Sequence, residues 1–192
     1  MQQIQTYTDY WEERAEKVLS HFHYTFPDEI SITDICWRYG IRILPLDHPF
    51  MDGYIENLDN DLKAVSFPGT IDRRGTIFIK ENLNFIEKKL LLAEEFCHIY
   101  AHQKSQVFVD KHQIGKLENQ AKRMAAYLLM PAQFINTVYD AAYDEAVMIS
   151  DIADHFLVTE EFTQYRLELI FNRKVDALIT HKGTLGTIEW FE

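Results

Sequence analysis

Long apolar runs, cysteine, glycine and positive charge are all scarce in this sequence, and each scarcity excludes a class of protein. No apolar run approaches the roughly 20 residues that cross a bilayer. The start MQQIQTYTDY has no basic region followed by an apolar one, so neither a membrane span nor an export signal is expected. Only Cys36 and Cys97 are present, too few and too far apart for a disulfide framework, which points to reduced core thiols and a cytoplasmic setting. Cys97 falls on the apolar side of its helix and reads as packing, not as a nucleophile. The 7 glycines form no phosphate-binding loop, and there is no internal repeat or low-complexity linker. With 19 Lys and Arg against 30 Asp and Glu, the net charge is −11. That balance argues against nonspecific nucleic-acid binding, because phosphate contacts need clustered cations.

What is present is a chain of 192 residues, 47% hydrophobic and 26% charged, long enough for one substantial core. Its most informative stretch is LLAEEFCHIYA, residues 91–101. At 3.6 residues per turn, with Glu94 taken as the origin, His98 falls at about 40°, His102 at about 80° and Glu95 at about 100°. The ionisable groups share one face, while Leu92, Phe96 and Ile99 fill the side that a core would cover. Asn84, with Glu87 three residues on, opens this helix as a capping box, so the spacing predicts a helix from about Asn84 to His102.

Chemistry has a use for that spacing. Two ligands four residues apart meet one metal ion from successive turns, and the residue after the first points a carboxylate at the metal-bound water. Such a carboxylate takes a proton from the water and later delivers it to the leaving amine. The usual pattern is His-Glu-x-x-His; here Glu94 stands at the first position, Glu95 at the general-base position and His98 at the second ligand. A candidate third ligand is Glu118, in LENQAKRMAAYLLMP, at the edge of an apolar stripe of Leu117, Ala121, Met124, Ala125 and Leu128. Glu94, His98 and Glu118 would form a harder, more anionic set than two imidazoles and a carboxylate, compatible with zinc and more open to manganese. His98 with His102 is an alternative ligand pair, but Ile99 follows His98, so that register lacks the general base. The remaining reading is a solvated acidic and histidine-bearing face with no metal, and Glu118 as an ordinary acidic residue in a first helical turn.

Residues 52–131 together resemble the ImmA/IrrE family of regulatory metallopeptidases: Asp52-Gly53-Tyr54, the hairpin ending in TIFIKE, the EEFCH helix followed by His102, then LENQA and AAYLLMP. Glu94 replaces the family's first histidine, and a form with Glu there is similar to members from phage and mobile elements. The resemblance implies Glu95 as the base, with His98 and Glu118 as metal ligands. It also implies an intracellular endopeptidase that cleaves a helix-turn-helix transcriptional repressor of a mobile element or stress response. The alternative is an antirepressor that binds the same partner without cutting it; a metal-stabilised scaffold with no peptide substrate is a third reading.

The order of elements suggests an α+β fold with a small antiparallel sheet ahead of the motif helix. Trp11, Ala15, Val18 and Phe22 recur at helical spacing, and Ser31 with Asp34 opens a short second helix. Extended pieces are expected at 41–44, 53–56, 62–67 and 76–80. Such a sheet could offer an edge to an extended peptide. Residues 1–140 are read as the metallopeptidase-like domain and 141–192 as a helix-turn-helix-like extension with a C-terminal hairpin around Lys182-Gly183, packed on the same core. Residues 141–172 carry Asp144, Glu145, Asp151, Asp154, Glu160, Glu161 and Glu168 against the single basic Arg166. A recognition helix this acidic would be repelled by DNA, so the pair is expected to pack or to dock a protein, with Thr159 capping its second helix.

Overall fold

Side-chain caps fix where the first helices begin in the computed structural model, which describes residues 9–47, 61–69, 75–101 and 111–190. Helix α1 (Tyr10–Leu19) starts where the Asp9 carboxylate accepts from the Trp11 amide at 2.8 Å, and α2 (Ile32–Arg38) where Ser31 accepts from Asp34 at 3.2 Å. The motif helix α3 (Phe85–Ala101) opens as expected, with Asn84 Oδ1 accepting from the Glu87 amide at 2.9 Å. The Glu87 carboxylate turns to Lys63 Nζ, at 2.5 Å, and ties this end of α3 to the chain ahead of the second strand. At the other end, Arg14 of α1 donates to the Tyr100 carbonyl at 2.8 Å and stacks over the Tyr100 ring. Lone carbonyls in the last turn of a helix need such a donor.

The sheet that backs α3 has the strand order β1-β3-β2, from β1 (Arg42–Pro45), β2 (Ala64–Pro68) and β3 (Gly75–Ile79). The α+β class is as expected, and β2 and β3 form the expected antiparallel pair. Strand β1, however, lies parallel to β3, with Ile43 opposite Ile77, so the sheet is mixed. Parallel neighbours need a long connection, and β1 has one because the chain lays down β2 before returning to β3. Along β3, Ile77 and Ile79 join the main core while Phe78 packs with Val65 on the other face. The helix sits very close to this sheet. A Cβ built on Gly75 would stand 2.8 Å from Ile99 Cδ1 and 2.9 Å from the Phe67 carbonyl oxygen, so the α3 surface requires glycine there. The expected strand at 53–56, the Asp52-Gly53-Tyr54 segment and His102 lie outside the described residues.

Helix α4 (Lys111–Leu129) packs along both α3 and α1. Pro131 then stops it, and α5 (Ala132–Ala141) begins. Next come β4 (Val147–Met148), α6 (Ile149–Phe156), α7 (Glu160–Phe171), β5 (Ala177–His181) and β6 (Thr184–Ile188). Strands β4, β5 and β6 make a second, wholly antiparallel sheet. Helix, strand, helix, turn, helix and hairpin follow one another from α5 to β6. Thr159 caps α7 as expected, accepting from Phe162 at 3.2 Å, and Lys182 and Gly183, both at positive φ, make the tight hairpin turn.

One face of α7 is committed to the core. Phe162, Thr163, Arg166 and Leu167 are all buried, and Ile152, Phe156, Phe162 and Leu167 share one apolar cluster with Ala15, Val18, Leu92 and Phe96. Arg166, the single basic residue of 141–172, is 2% exposed. Its Nε donates to the Met130 carbonyl at 2.9 Å, Nη2 reaches Glu12 at 3.4 Å, and the guanidinium lies 4.5 Å from the centre of the Tyr127 ring. Lys89 of α3 makes a second such link, donating to the Phe156 carbonyl at the end of α6 at 2.8 Å.

Candidate active site

The candidate residues gather where α3 meets α4 on one side and β2 on the other. His98 is buried and Glu118 is half exposed, and His98 Nε2 stands 3.4 Å from Glu118 Oε2. Sequence spacing alone could not establish that meeting, because the two residues lie on separate helices. It places the pair at the border of core and solvent, where one partner is held rigidly and the other is open to a ligand.

Glu95 points to the sheet side and is 8% exposed. The Ser66 hydroxyl, on the buried face of β2, donates to its carboxylate. Its Oε2 has no hydrogen-bond partner among the described residues. Burial pushes the Glu95 carboxyl above the ordinary carboxylate range; Ser66 and His98 oppose that, and Glu118 and Glu94 reinforce it. A buried carboxyl whose proton affinity is raised, with one oxygen unengaged, is equipped to accept and return a proton. Ser66 was missed in the sequence, although a small polar residue two positions after Ala64 on an apolar strand was a usable signal.

Glu94 is half buried on the α4 side. Burial raises its pKa, the Lys122 ammonium lowers it, Glu118 raises it, His98 lowers it and Glu161 of α7 raises it, in that order. Glu94 therefore lies in the field of the His98 and Glu118 pair, and α7 contributes a charge to the same neighbourhood. It does not complete a ligand set: among the described residues no three His, Cys, Asp or Glu side chains converge into a metal-binding group.

The donor geometry can be tested against a metal. Two donors bonded at about 2.1 Å to one tetrahedral ion stand about 3.4 Å apart, which is the His98 to Glu118 separation. An imidazole and a carboxylate are suitable zinc or manganese donors. Two ligand positions thus fit, and the third is not closed by Glu94 in this arrangement.

Residues 36–168 match the family of IrrE N-terminal-like domains, a peptidase family. The match covers more than two thirds of the 192 residues. The chain belongs to the IrrE N-terminal-like peptidase family. Helix α3, with its Glu-Glu-x-x-His sequence, lies within the matched segment. The matched segment runs from α2 into α7, past residue 140, so the family's likeness extends into the helix pair read from sequence as an extension. Membership implies a divalent metal, typically zinc. No curated protein matches the chain. Among the described residues, no helix is long and apolar enough to cross a membrane.

Proposed function

We propose that this IrrE-like chain is a metal-dependent endopeptidase, with Glu95 as its general base and His98 and Glu118 as metal ligands. Glu94 would be the third ligand; His102 is the alternative. The observation that carries this reading is the juxtaposition of the 3.4 Å His98 to Glu118 pair with the buried, unengaged Oε2 of Glu95. Zinc, or manganese in competition, would be held by these side chains and would supply Lewis-acid activation of water and of the scissile carbonyl. The chain's own groups do the rest. Ser66 fixes one oxygen of Glu95 so that the other faces the site, and Glu95 holds the proton in transit to the leaving amine. The half exposure of Glu118 leaves the approach to His98 open to an extended peptide.

The proposed substrate is a helix-turn-helix transcriptional repressor, bound and cut in the cytoplasm; nucleic acid is not a partner. The acidity of residues 141–172 and the burial of their one arginine support that exclusion. The second reading is a non-catalytic antirepressor, favoured by the failure of Glu94 to join the other two ligands. Metal content by mass spectrometry on untagged protein, beside Glu94→Ala, His98→Ala and Glu118→Ala, separates them. Near-stoichiometric metal, lost in all three variants, supports the enzyme. A protein still empty after zinc or manganese reconstitution supports the antirepressor. With a candidate repressor in hand, intact mass should show a cut that Glu95→Gln abolishes while binding survives.

A further inference from the structure

Glu94 and Lys122 occupy the rung next to the His98 and Glu118 pair. Helices α3 and α4 follow one another and pack side by side. His98, near the end of α3, meets Glu118, in the first half of α4, and one turn back on α3 Glu94 lies in the field of Lys122, one turn on along α4, which is the arrangement of an antiparallel pair. Stepping back four residues on one is then matched by stepping forward four on the other, a rise of about 6 Å each. Four back from His98 is Glu94; four forward from Glu118 is Lys122. Lys122 is held there from a third side, its Nζ 4.9 Å from the centre of the Tyr165 ring of α7. Among the described residues, the direct ion pairs do not include Glu94 with Lys122. The aromatic face holds the ammonium within the field of the Glu94 carboxylate, not paired with it among the described ion pairs.

A glutamate at the first signature position adds negative charge to a half-buried spot that already faces Glu118 and Glu161. Lys122 supplies the balancing charge on the same rung. We propose that Lys122 is a positioning residue, the counter-ion that keeps the Glu94 carboxylate off the His98 and Glu118 edge, so that a divalent ion must compete with an ammonium to recruit Glu94. This rests on the reading of His98 and Glu118 as metal ligands, and it assigns to α4 and α7 control over how tightly the site takes its ion.

The test is a double-mutant cycle of wild type, Glu94→Gln, Lys122→Met and the double variant, with Lys122→Arg as the conservative control. Zinc and manganese are titrated calorimetrically into the stripped proteins, and urea midpoints are measured in chelator. Lys122→Met should tighten metal binding about tenfold more when Glu94 is present than in the Glu94→Gln background, the scale of one partly screened charge. Lys122→Arg should behave as wild type. An equal change in both backgrounds, or none in either, overturns the proposal. If none of the proteins takes up either ion, the metallopeptidase reading fails, and the chelated midpoints decide the pairing: non-additive shifts sustain it and additive shifts overturn it.

Discussion

Arg166 and Glu95 are both charged groups sunk into the core, and the fold treats them in opposite ways. Around Arg166 the requirements are met: a carbonyl, a carboxylate and an aromatic face surround a guanidinium that is 2% exposed. Around Glu95 they are not, since one oxygen is taken by Ser66 and the other is left without a partner among the described residues. Satisfied buried networks specify and rigidify a structure, whereas a buried group left incomplete is expected where something else is to be bound or moved. Lys89 falls between the two, with one carbonyl partner among the described residues and burial that pushes its pKa down to about 8.

The largest effect should come from breaking the complete network. Arg166→Ala leaves the Met130 carbonyl and Glu12 without their donor and should cost about 3–5 kcal/mol in urea denaturation; a loss under about 1 kcal/mol would show that the network is ornamental. Lys89 sharpens the comparison through pH. Its folded pKa of about 8 lies below its ordinary 10.5, so the unfolded chain holds more protons between those values, and stability should rise across that window and be flat below it. The rise is at most ~3 kcal/mol, and it should vanish from the pH profile of Lys89→Met. Gly75→Ala comes next: the added methyl meets Ile99 and the Phe67 carbonyl, which should destabilise by about 1–3 kcal/mol and displace His98, one residue from Ile99, with a loss of metal affinity. The smallest effect on stability belongs to the incomplete group. Glu95→Gln should stay within about 1 kcal/mol of wild type or exceed it, while peptide cleavage is lost; a large destabilisation would mean that Glu95 is a structural carboxylate after all.

The motif helix was legible in outline because its signals are local. Asn84, the apolar positions and the ionisable face all follow from helical period, as do the caps at Ser31 and Thr159. The pairing of His98 with Glu118 is what the family resemblance implies, and it needs the tertiary structure to bring the helices together. Three things were not legible. Strand β4 is two residues long and exists only because β5 passes beside it. The parallel pairing of β1 depends on chain order in space, which periodicity does not encode. Arg166 carries the same letter on a surface or in a core, and its partners Glu12 and Met130 lie 154 and 36 residues away. Lys122 was overlooked for a different reason: its meaning appears only when the two helices are set in antiparallel register.

The Arg166 contact also bears on how this chain could be cut or built. Its three partners come from α1, α4 and the junction ahead of α5, so the arginine of a late helix closes over material from the very first one. A fragment trimmed to the family-matched residues 36–168 would retain the arginine and lose Glu12, together with Ala15 and Val18 of the core. During synthesis the converse holds. Until α7 has left the ribosome, Glu12 of α1 and the Met130 carbonyl have no guanidinium between them, and the motif helix waits on a residue nearly seventy positions downstream of His98 for the core behind it to close.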